Sequence, residues 1–534
     1  MNFSFSMSRF TRLIFLFMGI LFISTTLLFL FDGHLNLLNA VIILVTVFAL
    51  SNYCIGLKKD SILLNVGFVI CTILLILFSQ FYIDLTFDGQ AYHQEMMIQM
   101  SSGWNPVYEL IDDANNQSIW LNHYSKGYEI IGAVFYKLLN NITYVKFINL
   151  IFLALSFLYP FNYFKEKISK KKALLIALII AFNPVTLVQL MTNLIDGFLY
   201  SVTVITVFSY LLSKTSKAYF FDFIIGLILL MNIKFTGLVF GVALYGVILI
   251  YALFVEKIKR VILLKKTLLI ILIALPFLLT PYIKNFIEKG HPFYPLMGTD
   301  KIDFVEDYVP DVIKGKGRLE KIILTNFVSI GNRSDSKLKL PFTFSLNELQ
   351  KMRNGAPRVG SFGVWWGGLL LFSFMYYFIS VFQLRGRFKF SIYEAIICVI
   401  ILLLLINKAG WWLRYTPYFW LIPILLFLSI NQYKETKNGL KILFCLVFIN
   451  GFLTLIVSLG LRYNDSKEFI YKLNSLKNIK NTIQVDFGAY LGNKALFKEH
   501  KIPFVERASK TFTAPEQFNN VVFIEGESKT KTDE

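Results

Sequence analysis

The sequence predicts an all-α polytopic membrane protein with about 13 transmembrane helices (roughly 11–14), and three observations support this. Hydrophobic residues make up 56% of the 534 residues and charged residues only 16%, whereas soluble domains are roughly 45–50% apolar and about 25% charged. Apolar runs recur at the length that a helix needs to cross a bilayer, about 20 residues. The basic residues lie in short clusters between those runs.

The apolar runs occupy most of the first 460 residues. The first run follows Arg9 and Arg12 and ends in Phe-Asp-Gly-His rather than in small residues, so we interpret it as a retained signal anchor and not as a cleaved signal peptide. Short or polar breaks within the pairs 173–213 and 219–255 leave the count open by one or two. The runs lie at 13–31, 36–57, 61–83, 143–163, 173–191, 195–213, 219–233, 235–255, 267–285, 362–383, 390–407, 412–430 and 442–460.

The positive clusters assign an orientation to this layout. Cytoplasmic loops of membrane proteins carry an excess of Lys and Arg. With the N-terminus inside, every predicted inner segment is basic, and the net charge of +19 reflects these loops rather than a nucleic-acid partner, which we exclude. We therefore predict a multi-pass protein of the inner (plasma) membrane, with a cytoplasmic N-terminus and the C-terminus outside. The inner clusters lie at 58–59, 165–172, 214–217, 257–266, 385–389 and 434–441.

Three larger segments then fall outside the membrane. The first outer segment covers 84–143, the second outer segment covers 285–361, and the C-terminal region, 461–534, follows a membrane domain at 1–460. The C-terminal region contains short β-like stretches and predicts a small α/β appendage, with disordered final residues. These stretches lie at 482–487, 502–506 and 521–525.

The first outer segment opens with two acids close to the predicted membrane surface. Asp84 and Asp88 follow directly on an apolar run, and Tyr92 and His93 come next. Partial desolvation raises the pKa of a carboxylate, so either acid is a candidate catalytic base and His93 could share its pocket. The alternative is that these polar side chains cap the end of a helix.

Further candidates for binding a sugar or a phosphate lie in the outer segments. His123 and Lys126 belong to the stretch Asn-His-Tyr-Ser-Lys-Gly at 122–127, which an interfacial helix with an aromatic belt would explain equally well. His291 belongs to the stretch Gly-His-Pro-Phe-Tyr-Pro at 290–295, whose two prolines predict a rigid turn.

Four more candidates lie next to apolar runs. Asp196 and Lys234 are ionisable residues between two such runs, where a functional role is the default hypothesis. If Asp196 lies in a short outer turn, a functional role is less strongly indicated for it. Lys234 is either a phosphate ligand or a lysine whose side chain extends to the interface. Arg414, followed by Tyr415, opens a predicted helix, where its guanidinium can bind a phosphate or anchor the helix at the interface.

The sequence lacks the motifs of cofactor-dependent chemistry. It contains no phosphate-binding loop, no dinucleotide fingerprint and no His/Cys spacing typical of a metal site. The four cysteines lie in or beside apolar runs and are expected to be packing residues. We therefore expect no cofactor and no metal, so that the energy for any synthesis outside the membrane comes with the substrate.

The order of these motifs resembles the GT-C superfamily of membrane glycosyltransferases, which use polyprenyl-phosphate-linked sugars. Similar bacterial proteins include the arabinose and mannose transferases and the family with a dolichyl-phosphate-mannose-transferase-like domain. The resemblance spans residues 60–430, roughly, and rests on four features. They are Asp88 with Tyr92 and His93, the stretch 122–127, the turn 290–295, and the pair Arg414-Tyr415.

The resemblance implies roles for individual residues. An acid of the first outer segment acts as the base or positions the acceptor hydroxyl, and this role maps onto Asp88. Many members carry a neighbouring acid, but an adjacent pair is missing here, so Asp84 stays the alternative. Basic residues at the outer face bind the lipid phosphate, and the candidates here are Lys234, Arg414, His123 and Lys126.

The sequence thus predicts a glycosyltransferase that moves a hexose or pentose from a polyprenyl-phosphate donor to an envelope glycan or glycolipid acceptor. Such a donor carries its own leaving group, so one carboxylate and convergent cations suffice. Two alternatives stay open. An O-antigen or capsule polymerase is usually marked by paired Arg-rich outer loops, which are not evident. A transporter or flippase of lipid-linked sugars would place charges along a central path and show inverted repeats.

Overall fold

The computed structural model is mostly helical, with 22 α-helices and four short strands in its described part. It therefore confirms the fold class at the level of a mostly helical, multi-pass membrane protein. The sequence predicts disorder for the final residues, 526–534; Gly526 is the last residue of a strand, and 527–534 lie outside the described residues, as do Lys59, Arg385 and Lys434 of the predicted inner clusters. The structure describes residues 6–58, 60–355, 357–384, 386–431, 437–477, 482–507, 516–518 and 522–526.

Nine helical segments in these ranges are long and apolar enough to cross a membrane. Three shorter apolar helices accompany them, so the finer prediction of 13 spans is not confirmed. The nine are Met7–Leu30, Leu37–Ile55, Ser61–Ser79, Ile142–Phe164, Asp196–Ser213, Phe235–Phe254, Arg260–Lys289, Trp366–Gln383 and Lys441–Lys477, and the three shorter helices are Ala218–Ile233, Ile392–Ile406 and Pro417–Ile430.

The α-helices follow in chain order with mostly short connections. The first twelve are α1 (Met7–Leu30), α2 (Leu37–Ile55), α3 (Ser61–Ser79), α4 (Gln94–Ser101), α5 (Ser118–His123), α6 (Gly127–Leu139), α7 (Phe147–Phe164), α8 (Lys170–Ala181), α9 (Pro184–Gln189), α10 (Asp196–Ser213), α11 (Ala218–Ile233) and α12 (Phe235–Phe254). The others are α13 (Arg260–Ala274), α14 (Lys284–Lys289), α15 (Phe304–Asp307), α16 (Arg318–Leu324), α17 (Leu346–Gln350), α18 (Trp366–Gln383), α19 (Ile392–Ile406), α20 (Leu421–Ile430), α21 (Lys437–Lys477) and α22 (Gly492–Glu499).

The apolar run at 173–191 forms two helices instead of one. Asn183 caps the second helix, because its side chain accepts a hydrogen bond from the Val185 amide at 2.8 Å. Pro184 has no amide hydrogen to donate and is favoured at the first position of a helix, so α9 begins there. The short α9 ends at Gln189, which reaches the candidate site described below.

α10 is the centre of the bundle and packs against α7, α9 and α11. Its residues are buried along almost the whole helix. Gly226 of α11 lies so close to α10 that an added Cβ would be 2.6 Å from the Thr206 hydroxyl. Small residues at such contacts let membrane helices approach each other closely. Asp196, the first residue of α10, is therefore held at a fixed place in the core.

A break at Lys234 separates α11 from α12. The backbone of Lys234 is extended, with φ −161° and ψ 155°. The Tyr282 hydroxyl donates to the Met231 carbonyl at 2.5 Å, which satisfies one of the carbonyls that the end of α11 leaves without a helical partner. The break lets the Lys234 side chain contact Asp196 rather than follow the helix surface.

α21 is a single helix of 41 residues that continues through the predicted domain boundary at 460/461. Its length of about 60 Å exceeds the ~30 Å hydrocarbon thickness, so its C-terminal part continues beyond the membrane region. A four-stranded sheet of order β2-β1-β4-β3 follows, in which β1 and β2 are parallel and the other pairs are antiparallel. The strands are β1 (Ile483–Asp486), β2 (Phe504–Glu506), β3 (Glu516–Phe518) and β4 (Val522–Gly526). Three of them overlap the stretches that the sequence favours, and β3 is additional.

Three segments meet at one end of the helices: the first outer segment, the second outer segment and the C-terminal region, which the charge pattern assigns to one side of the membrane. The Asn285 side chain of the second outer segment donates to the His123 carbonyl of the first at 3.0 Å. The Asn116 side chain of the first outer segment donates to the Gly488 carbonyl of the C-terminal region at 3.1 Å. The three segments therefore lie on the same side of the bundle.

A buried ion pair joins α1 to α11. Arg12 donates to the two carboxylate oxygens of Asp222 from Nε at 2.9 Å and from Nη2 at 3.0 Å. The Tyr159 hydroxyl of α7 donates to the same carboxylate at 2.9 Å. Removing one partner of a buried pair leaves the other charge without compensation, and this is costly inside a membrane protein.

We expect the substitution Asp222→Leu to destabilise the fold by on the order of 3–5 kcal/mol, because Arg12 would stay buried without a counter-ion. The double variant Arg12→Met, Asp222→Leu should recover part of that loss, because no charge is left in the core. Thermal unfolding in detergent, followed by circular dichroism, measures both. A double variant that is less stable than Asp222→Leu would contradict this interpretation.

Candidate functional site

Two cavities meet at the end of the bundle where the outer segments lie. The larger one, the polar cavity, has a volume of about 1280 Å³ and lies between the two outer segments and α21, with Asp88, Arg333, Arg353, Arg358, Arg414 and Arg462 in its lining. The smaller one, the apolar cavity, has a volume of about 660 Å³ and is lined by Phe235, Val239, Phe293, Leu403, Ile406 and Tyr418 among others. A polar space and an apolar space are therefore in contact at one site.

Asp88 and Arg414 lie where the two cavities meet, because both residues line both cavities. Nη2 of Arg414 donates to Oδ2 of Asp88 at 2.9 Å. The Asp88 side chain is 24% exposed, whereas the Arg414 side chain is 6% exposed. The carboxylate is therefore accessible from the cavities, and the guanidinium is held in the wall between them.

A second acid lies behind Arg414. Asp196 accepts hydrogen bonds from Nζ of Lys234 at 2.7 Å and from Nε2 of Gln189 at 3.0 Å. Nε of Arg414 lies 3.8 Å from the Asp196 carboxylate. Acids and bases thus alternate along a row, in the order Asp88, Arg414, Asp196 and Lys234, which we term the charge row.

Arg414 keeps hydrogen-bonding capacity that no other described residue uses. Its Nε and Nη1 atoms are buried without a hydrogen-bond partner in the described part of the chain. Burial alone would lower the pKa of Arg414, but Tyr415, Asp88 and Asp196 outweigh it and hold the pKa well above its usual value. A permanently charged guanidinium with unused donors is suited to bind an oxyanion such as phosphate.

Three tyrosines surround the charge row and also line both cavities: Tyr92, Tyr124 and Tyr415. Nζ of Lys234 lies 3.8 Å from the centre of the Tyr415 ring, a distance at which the ring stabilises the cation. Burial raises the pKa of Tyr415 to about 12 and those of Tyr92 and Tyr124 well above their usual value. All three hydroxyls therefore stay protonated and can donate hydrogen bonds to a sugar.

Two predicted histidines line the apolar cavity. Nδ1 of His93 lies 2.5 Å from the Glu129 carboxylate, and Nδ1 of His291 accepts a hydrogen bond from the Phe293 amide at 3.0 Å. In both rings one nitrogen is engaged, which fixes the ring and leaves Nε2 for a further contact.

Asp84, the alternative acid, occupies a different place. It is 1% exposed, and it is not among the described residues that line the two cavities. Its carboxylate accepts hydrogen bonds from the Thr86 amide at 2.9 Å and the Asn193 amide at 2.6 Å. These bonds fasten the end of α3 to the loop that precedes Asp196. The geometry therefore favours Asp88 as the candidate base.

His123 and Lys126 lie behind the wall of the two cavities. Nδ1 of His123 lies 2.8 Å from Oδ1 of Asn285, and burial lowers the pKa of this histidine. Lys126 is buried and donates to the Tyr124 carbonyl at 2.7 Å. At the next residue, Gly127, an added Cβ would be 2.8 Å from a backbone oxygen of α11. His123, Lys126 and Gly127 therefore position Tyr124 and are not themselves among the residues that line the two cavities.

Several residues of the site were not singled out from the sequence. Gln189 orients Asp196, and the arginines of the second outer segment, at 333, 353 and 358, line the polar cavity together with Arg462 of α21. These arginines are far apart in the chain or flanked by unrelated residues, so no local motif indicates that they meet. The only signal in the sequence is that all four are basic residues on the predicted outer side, and the second outer segment and the C-terminal region carry many other Lys and Arg residues.

In the ranges that the structure covers, no group of three or more His, Cys, Asp or Glu side chains could hold a metal ion. In comparisons with known proteins, no family model, no curated protein and no solved structure matched this chain. The fold and the site are those of a multi-pass membrane protein in which a polar and an apolar cavity meet at the charge row.

Burial lowers the pKa of Lys126 to about 7, and this gives a pH-dependent prediction. An unfolded chain binds a proton at this lysine up to its usual pKa of 10.5, whereas the folded protein releases it from about 7. The contribution of Lys126 to stability therefore rises with pH between these values. We expect the melting temperature of the wild type to rise relative to that of Lys126→Met between pH 7 and pH 9, measured in one detergent.

The matched control is Lys314→Met, because Lys314 is exposed. The difference in melting temperature between the wild type and Lys314→Met should stay constant between pH 7 and pH 9. A difference between wild type and Lys126→Met that stays constant or shrinks as the pH rises would contradict the assignment.

Proposed function

We propose that this protein is a glycosyltransferase that moves a sugar from a polyprenyl-phosphate donor to an envelope glycan or glycolipid at the outer face of the membrane. One observation carries the proposal: the pair Asp88–Arg414 lies where a polar and an apolar cavity meet. A reaction between a lipid-linked donor and a polar acceptor needs such a junction, with a base and a cation at it.

The apolar cavity is suited to the donor. Its walls include apolar residues of α12 and α19, and its lining also contains the lysines Lys234, Lys301 and Lys408. A polyprenyl chain would lie against the apolar walls, and its phosphate would be bound by Lys234 and the unused donors of Arg414. The polar cavity then holds the acceptor.

The chemistry follows from this arrangement. An acceptor hydroxyl in the polar cavity gives its proton to the Asp88 carboxylate as the hydroxyl oxygen attacks the anomeric carbon of the donor sugar. The bond from that carbon to the phosphate oxygen breaks, and polyprenyl phosphate leaves with the electron pair. Arg414 and Lys234 stabilise the charge that develops on the phosphate. A bound phosphate also competes with Asp88 for Arg414, which makes the carboxylate available as a base.

We expect the substitution Asp88→Asn to reduce sugar transfer by about 10²–10⁴-fold, the usual contribution of a positioned base. The asparagine keeps the shape of the side chain but cannot accept the proton. The measurement is transfer from radiolabelled polyprenyl-phosphate sugars by the purified protein in nanodiscs. Asp112→Asn is the matched control, because Asp112 is an exposed acid of the same outer segment. Transfer by Asp88→Asn at the wild-type rate would exclude the proposed role.

The proposed orientation places the N-terminus in the cytoplasm and the site on the outer side of the inner membrane. Alternation of the basic loops supports it. We expect alkaline phosphatase fused to the C-terminus to be active and green fluorescent protein fused there to be dark. Fusions after residue 216, in a basic loop, should give the opposite result. The reverse pattern would place the charge row on the cytoplasmic side.

A second candidate function, polymerisation of lipid-linked oligosaccharides, is favoured by the arginines of the second outer segment that line the polar cavity. Both candidates use the same junction but different donors. Single sugars on polyprenyl phosphate should be consumed by the transferase, and oligosaccharides on polyprenyl pyrophosphate by the polymerase. A protein that moves either lipid across the bilayer without breaking the sugar–phosphate bond would instead be a transporter.

A further inference from the structure

The polar cavity carries positive charge that its own acids do not neutralise. Four acids line it, and each forms an ion pair with one base. The pairs are Asp88–Arg414 at 2.9 Å, Asp465–Arg353 at 2.8 Å, Glu468–Lys472 at 2.8 Å and Asp335–Lys351 at 3.2 Å. Two further lining guanidiniums, those of Arg358 and Arg462, have no carboxylate within 4.0 Å among the described side chains.

Arg462 is 5% exposed, and its Nε and Nη2 atoms lack a hydrogen-bond partner within the described ranges. A buried polar group without a partner is costly unless a ligand or an ion compensates it. The residue extends from α21 into the wall of the polar cavity and adds a positive charge there.

Arg358 is half-buried, and its guanidinium lies 4.1 Å from the centre of the Tyr308 ring. The ring holds the guanidinium in place without neutralising it. Burial lowers the pKa of Arg358, and the nearby guanidiniums of Arg414 and Arg333 lower it further. Like charges are thus gathered in one cavity, and a bound anion would relieve their repulsion.

We infer that the polar cavity binds an acceptor that is itself anionic, bearing phosphate or carboxylate groups along a glycan or polyol, with Arg358 as the direct contact and Arg462 as a second positive charge in the wall. That the bound anion is an acceptor rests on the proposed function, whereas the existence of the anion site does not. The cavity volume of about 1280 Å³ leaves room for several sugar or polyol units, because one water molecule in the liquid occupies only roughly 30 Å³.

The test is direct binding to the full-length protein in nanodiscs, measured by calorimetry without any donor. The probes are a short poly(glycerol phosphate) oligomer, an oligogalacturonate and, as the neutral match, polyglycerol of the same length. We expect one or both anionic probes to bind, polyglycerol not to bind, and the affinity to fall as salt rises. Arg358→Gln should weaken binding of the anionic probe about tenfold or more, because a charge-assisted hydrogen bond is lost. Arg358→Lys should retain part of the affinity.

Two further variants locate the anion. Arg507→Gln removes an exposed arginine of the C-terminal region and should leave binding unchanged. Lys314→Gln removes an exposed lysine of the second outer segment that lines neither cavity, and it should also leave binding unchanged. Equal binding of polyglycerol, an equal loss in Arg507→Gln, or a loss in Lys314→Gln but not in Arg358→Gln would each overturn the inference.

The binding result and the transfer result are separable. Anion binding that depends on Arg358, together with no sugar transfer from any polyprenyl-linked donor, would remove the proposed function and leave the anion site. Efficient transfer to neutral acceptors, without binding of either anionic probe, would leave the proposed function and remove this inference.

Discussion

The charge row is the constraint on which the rest of the site depends. Asp196 and Lys234 are held among apolar helices, where an isolated charge would be costly, so each stabilises the other. Arg414 lies between two carboxylates and cannot leave either without a replacement anion. The start of α10, the break after α11 and the turn before α20 are thereby fixed relative to each other. A substrate phosphate is the kind of group that can enter this row without leaving a charge unpaired.

The hydropathy and charge patterns are sufficient to predict a mostly helical, multi-pass membrane protein and the segments that meet at one end, because membrane insertion depends on local sequence. They were less informative about helix breaks. The run at 173–191 contains Asn183 and Pro184, whose capping geometry splits it. The length of α21 was underestimated, because polar residues follow its apolar part and hydropathy does not register a helix that continues into water.

Charged residues that are unusual for their place could be selected from the sequence alone. Asp196, Lys234 and Arg414 are charges next to apolar runs, and the structure brings them together. Asp84 and Asp88 are only four residues apart, and no local pattern distinguishes a carboxylate that accepts backbone hydrogen bonds from one that faces a cavity. The arginines of the polar cavity could not be grouped, because their proximity depends on how the second outer segment folds back against α21.

The unbroken α21 has a consequence for how the chain can vary. One helix carries an apolar stretch at its N-terminal end, the guanidinium of Arg462 further along, and the sheet beyond its C-terminal end. Each residue inserted before Arg462 would turn it by about 100° around the helix axis and raise it by about 1.5 Å. Insertions and deletions, which surface loops tolerate, are therefore expected to be selected against in this part of the chain even where individual side chains vary freely.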